Sequence, residues 1–173
     1  EALFRSYGSK VLVENNYFSS MMASILLRAE AFFWYESGAN ENITIRNNTF
    51  ADCAYGDGGQ AVVQILPRMQ RRFDLKHFVD KNITIENNVF KTFDTQIIHA
   101  TAVDGLIIRD NEIIQTSTFK PFLPSGTLVD LNLCNEVLMT NNLFRGNHPN
   151  LFRADKPTTL ILKNTENQGI ERY

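Results

Sequence analysis

Several residue types are scarce in this chain, and each scarcity removes a class of explanation. Two cysteines, Cys53 and Cys134, in 173 residues cannot build a disulfide scaffold, and both read as buried thiols. Three histidines, His77, His99 and His148, share no close spacing, so no zinc site is expected, nor any other metal or cofactor. A net charge of only −2, without a basic stripe, argues against nucleic acid as a partner. No apolar run approaches the length that crosses a bilayer, and no membrane partner is expected. No signal peptide stands at the start, although the chain opens with Glu1 rather than Met. No Asp-Asp pair occurs anywhere.

What is abundant is repetition. A nine-residue phrase recurs as KVLVENNYF from Lys10, NITIRNNTF from Asn42, NITIENNVF from Asn82, GLIIRDNEI from Gly105, EVLMTNNLF from Glu136 and TLILKNTEN from Thr159. Aliphatics alternate within it: Val11, Ile43, Ile83, Leu106, Val137 and Leu160 form one column, and Val13, Ile45, Ile85, Ile108, Met139 and Leu162 the next. Period-two spacing is what a strand with one buried face requires. A short strand repeated along a chain whose units cannot bury a core alone predicts a solenoid. The fold predicted is all-β, a right-handed single-stranded parallel β-helix of about six coils with an asparagine ladder, forming one domain over residues 1–173.

The polar positions support that prediction. Glu14, Arg46, Glu86 and Arg109 would stack as an outer ladder of alternating charge, at about 0.2–1 kcal/mol per pair. Paired positions follow: Asn15-Asn16, Asn47-Asn48, Asn87-Asn88, Asp110-Asn111, Asn141-Asn142 and Asn164-Thr165. Asparagine tolerates left-handed backbone and suits a tight bend, and stacked amides can bond to one another. Phe18, Phe50, Phe90, Ile113 and Phe144 should form an internal stack. Asn42, Asn47 and Asn82 open N-x-Thr triplets, but the repeat generates these by itself.

The first asparagine-type positions lie 32, 40, 23, 31 and 23 residues apart, so 23 residues make a bare coil and the excesses of 9, 17 and 8 are insertions. A second strand is predicted in each coil: Ser24–Leu27, Ala61–Ile65, Gln96–Ala100, Thr127–Leu131 and Leu151–Ala154. Insertions after Leu27 and Ile65, and one at Gln115–Gly126, all flank that strand column. They should wall one face, and loops on one side of a repeat scaffold are where function concentrates.

Candidate chemistry lies on that face. The first insertion carries Glu30, Trp34, Tyr35 and Glu36. Aromatic faces beside carboxylates suit a sugar, stacking on its C–H face and bonding or protonating its oxygens. A loop folding its aromatics back onto the coils has the same composition. Asp57 lies among glycines that allow either a pointed carboxylate or a tight turn. His99, Asp130 and Arg153 align in one outward column, as a polar floor in which Asp130 orients His99 or pairs with Arg153, or as a ladder needing no substrate. The insertion Pro67–His77 is basic and aromatic, fitting a solvated wall or contact with an anionic or sugar ligand.

Trp34-Tyr35-Glu36-Ser37-Gly38, followed by a strand and Arg46-Asn47-Asn48-Thr49-Phe50, resembles glycoside hydrolase family 110. Val13-Glu14-Asn15-Asn16-Tyr17-Phe18 and Ser24-Ile25-Leu26-Leu27 fit the same family. The resemblance implies a right-handed parallel β-helix and inverting removal of terminal α-1,3-linked galactose. It implies an α-galactoside as partner and a secreted or periplasmic setting. Trp34, Tyr35, Glu36, Asp57, His99 and Asp130 then become expected substrate contacts, with Glu30 and Glu36 the local candidates for acid or base. There are departures. Ala29-Glu30-Ala31-Phe32-Phe33 stands where the family has a small residue, an aspartate and a polar residue, and the family's adjacent aspartate pair has no counterpart. The catalytic pair is therefore expected outside this chain, as if the chain were the C-terminal portion of a longer solenoid. An open first coil would then invite self-association. Two other readings stay open: a non-catalytic glycan-binding or adhesion β-helix, and a polysaccharide lyase on the same fold.

Overall fold

The computed structural model describes residues 2–4, 10–30, 38–56, 60–68, 77–93, 95–120, 127–146, 150–165 and 170–172. The first turns comprise β1 (Ala2–Phe4), β2 (Val11–Glu14), β3 (Tyr17–Phe18), β4 (Ile25–Leu27), β5 (Glu41–Arg46), β6 (Thr49–Ala51) and β7 (Val63–Ile65). The middle of the chain forms β8 (Asp80–Glu86), β9 (Val89–Thr92), β10 (Ile98–Thr101), β11 (Val103–Arg109), β12 (Glu112–Gln115) and β13 (Thr127–Asn132). The remainder forms β14 (Asn135–Thr140), β15 (Leu143–Arg145), β16 (Asn150–Ala154), β17 (Leu160–Lys163) and β18 (Ile170–Arg172).

Every third strand pairs in parallel, except that β16 pairs with β18 at the end, giving three sheets. The first, of six strands, runs β2-β5-β8-β11-β14-β17 and holds the aliphatic part of the repeated phrase. The second, of five, runs β3-β6-β9-β12-β15, and the third, of seven, runs β1-β4-β7-β10-β13-β16-β18. The second strands predicted from sequence are β4, β7, β10, β13 and β16, with their ends shifted by one or two residues.

The register is the one the aliphatic columns demand. Val11, Ile43, Ile83, Leu106, Val137 and Leu160 are successive partners, as are Val13, Ile45, Ile85, Ile108, Met139 and Leu162. The third sheet adds Ile25, Val63, Ile98, Val129 and Phe152 from the opposite wall of one continuous core. Phe18, Phe50 and Phe90 stack with ring centroids 5.0 and 4.7 Å apart. Ile113 ends that stack, and Phe144 instead meets Phe152 edge-on.

Each member of the asparagine pairs has its own task. Asn15, Asn47, Asn87, Asp110, Asn141 and Asn164 are left-handed, with φ between 45° and 60°, and turn the chain between the first two sheets. The second members point inward and join coil to coil. Asn16, Asn48, Asn88 and Asn111 each donate both the backbone N–H and the side-chain amide to Oδ1 of the next, at 2.9–3.2 Å. Nδ2 of Asn48, Asn88, Asn111 and Asn142 also donates to a backbone carbonyl of the coil below, at 2.9–3.0 Å. In the sixth coil Thr165 takes the asparagine's place, and its hydroxyl donates to Lys163 O. Of the outer charges, Glu14 pairs with Arg46 at 2.7 Å and Glu86 with Arg109 at 2.5 Å. Both cysteines are free and buried, on coils that are not neighbours.

Candidate functional site

The insertions converge on the third sheet. Those between β4 and β5 and between β7 and β8 leave its trailing margin, and the one between β12 and β13 enters its leading margin. The outward column of this sheet reads Leu26, Gln64, His99, Asp130 and Arg153 in strict register. Leu26, Gln64 and Asp130 are only 3–5% exposed, although they face away from the core. The outward column of the first sheet is open by contrast, with Leu12 50% and Ile161 55% exposed. In the third-sheet column Leu26, Gln64 and Asp130 are covered, while His99 and Arg153 remain partly exposed.

Asp130 pairs with Arg153, accepting from Nε at 3.1 Å and Nη2 at 2.5 Å. Of the two partnerships open to it, the structure places it with Arg153. His99 stands one coil below Asp130, half-buried, with Nε2 3.5 Å from the Thr101 hydroxyl. Burial holds the imidazole below its usual pKa, the nearby Asp130 carboxylate pulls it up, and the Arg153 guanidinium pushes it down. Burial dominates, so at neutral pH the ring is uncharged and presents one donor and one acceptor. Gln64 accepts from Ala61 N at 3.1 Å, which fixes its amide.

Glu30, a sequence candidate for acid or base, is buried and faces Arg68 of the second insertion, with Arg68 Nη1 at 3.6 Å. The two residues also form a parallel β-bridge. Trp34, Tyr35, Glu36 and Asp57 lie outside the described residues. Among the described residues, no group of three or more His, Cys, Asp or Glu side chains could hold a metal. No described helix is long and apolar enough to cross a membrane.

One feature of this face is not evident from local sequence. Tyr55 and Phe119 stack at 4.8 Å, both partly exposed, and Phe93 meets Phe119 edge-on at 5.6 Å. They form an aromatic shelf where the chain enters the third sheet. Counting 23-residue coils would have brought the two segments to one corner, but not ring against ring.

The family model described as right handed beta helix region matches residues 2–170. The chain belongs to the right-handed β-helix family. It is 38% identical over 160 residues to alpha-1,3-galactosidase A of Bacteroides fragilis, covering 87% of the β-helix chain and 26% of that relative. Alpha-1,3-galactosidase B of Bacteroides thetaiotaomicron is 34% identical over 147 residues, covering 83% and 24%. Alpha-1,3-galactosidase B of Akkermansia muciniphila is 38% identical over 114 residues, covering 64% and 14%. The chain spans about a quarter of the length of the first two relatives.

Proposed function

We propose that this β-helix is part of a secreted or periplasmic glycoside hydrolase that removes terminal α-1,3-linked galactose with inversion, and that the third-sheet face is its sugar-binding surface. Similarity to proteins named alpha-1,3-galactosidase over 87% of the chain carries the reading. The face suits a hexose. Asp130 and Arg153 present a fixed acceptor–donor pair to hydroxyls, neutral His99 adds a bond of either sense, and Tyr55 and Phe119 offer apolar ring faces. Trp34, Tyr35 and Glu36 of the first insertion, and Asp57 of the glycine-rich segment before the second coil's strand, complete the proposed contacts. Inversion needs an acid and a base about 6.5–9.5 Å apart with water between them. Glu30 and Asp130 are already ion-paired, so we assign them to binding and place the reacting carboxylates elsewhere in the enzyme.

That pairing also favours a second reading, in which the chain binds α-galactosides without turnover. Galactose released from α-1,3-linked and p-nitrophenyl α-galactosides, followed by NMR for its anomer, tests both. Release of the β-anomer supports inversion within these residues. Binding without release, with turnover restored by a longer chain, supports a recognition wall. Neither binding nor release by the longer protein overturns the proposal.

A further inference from the structure

Two insertions leave the third sheet side by side and come back side by side. At their departure Arg68 N donates to Ala29 O at 2.7 Å, and the Glu30–Arg68 bridge joins them. At their return stand Asn40, just before β5, and Asp80, the first residue of β8. The phrases Asn40-Glu41-Asn42-Ile43-Thr44 and Asp80-Lys81-Asn82-Ile83-Thr84 match at every position in type or identity except in the charges they carry.

This return is built like a rung of the asparagine ladder. Asn40 N and Nδ2 both donate to Asp80 Oδ1 at 2.8 Å, just as Asn48 N and Nδ2 both meet Asn88 Oδ1 at 3.0 Å. Both pairs are separated by 40 residues. In the ladder the upper residue then donates its own amide, Asn88 Nδ2 reaching Ile45 O at 3.0 Å. Asp80 presents an oxygen, Oδ2, where asparagine presents NH₂. Asn40 and Asp80 are both fully buried, and among the described residues neither Asp80 Oδ2 nor Asn40 Oδ1 has a hydrogen-bond partner. An ionised carboxylate can only accept, whereas a protonated one donates as an amide does.

We propose that Asp80 holds a proton in this slot, standing in for asparagine, and that its ionisation loosens the joined returns of the two insertions. Asp80 is thus a positioning residue for the walls of the third-sheet face, a consequence that rests on the function proposed for that face. Its surroundings are apolar. Val103 is its partner in register, its N–H points to Ala102 O, and Val79 and Ala102 pack with Ala29. Charged neighbours lie outward or are engaged: Glu41, Lys81 and His77 are exposed, Asp104 accepts from Asn135 Nδ2 at 2.9 Å, and Glu30 faces Arg68. Burial accordingly pushes the Asp80 carboxyl up to about 6, against the pull of its two bonds from Asn40. A carboxyl raised from 3.8 to about 6 on folding costs stability as pH rises through that interval, and the loss is complete above it.

Thermal unfolding and infrared spectra of the wild type and Asp80→Asn, from about pH 5 to about pH 8, test this. The wild-type Tm should fall as pH rises from about 5 through about 6 and level off above that, while a protonated-carboxyl band disappears with its midpoint near 6. Asp80→Asn should lack that band and hold its low-pH Tm throughout. Proteolysis within residues 28–40 and 66–79 should quicken with pH in the wild type but not in the variant. A wild type with no such band at the acid end, or a variant Tm that falls as steeply as the wild type's, overturns the proposal. Should Asp80→Asn not fold, the wild-type infrared titration decides alone. None of these readouts uses turnover, so failure of the galactosidase reading leaves the test intact.

Discussion

Asparagine does most of the specifying at the scale of single residues, and the two members of each pair do so differently. The first is chosen for backbone, since a left-handed φ costs a bulky side chain roughly 1–2 kcal/mol. The second is chosen for bonds that only stacking supplies. Asn88→Ala leaves Asn48 N and one of the two Asn48 Nδ2 hydrogens without an acceptor and takes a donor from Ile45 O, and at about 1–3 kcal/mol for each buried orphan it should lower unfolding free energy by about 3 kcal/mol or more. Denaturant unfolding measures this; a loss under about 1 kcal/mol would show the ladder to be dispensable. The cysteines give a second prediction. Burial pushes the Cys134 thiol up to about 12 and raises Cys53 as well. Neither should react with a thiol reagent near pH 8 until the chain unfolds, and labelling followed by mass spectrometry checks this. Repetition made the paired asparagines legible, but the matched Asn40 and Asp80 stand just outside the phrase that drew attention.

Among elements, the third sheet carries the proposed site and the other two hold it in place. Its outward column was readable by counting from the asparagines, because parallel coils keep register and the register fixes which residues are neighbours. Which neighbours bond was not readable. His99 and Arg153 flank Asp130 on either side, and side-chain reach decided for the guanidinium. Asp130→Asn removes the charge that lifts the His99 pKa, so the imidazole should titrate still lower, as NMR of the ring protons would show. No change, or a rise, would mean the carboxylate is not felt at His99. The aromatic stack is the complementary structural device. Phe50, fully buried between Phe18 and Phe90, should cost about 3–5 kcal/mol on truncation to alanine, measured as a shift in denaturant midpoint.

For the molecule as a whole, stacking makes stability a sum over neighbouring coils, with the end coils least supported. Added coils at either end should raise the Tm of the chain, and a melting point indifferent to length would contradict a nearest-neighbour solenoid. The repeated phrase determined the fold class, the coil count, the inward columns and the face flanked by insertions. It could do so because a parallel solenoid turns a one-dimensional period directly into a stack. What tertiary structure alone decided are contacts between residues tens of positions apart and not in the phrase: Glu30 with Arg68, Tyr55 with Phe119, and Asn40 with a buried Asp80. These depend on how long insertions leave and rejoin the coils, and loop paths obey no period. The sequence therefore set the scaffold, and the meeting of its insertions set the chemistry of the face.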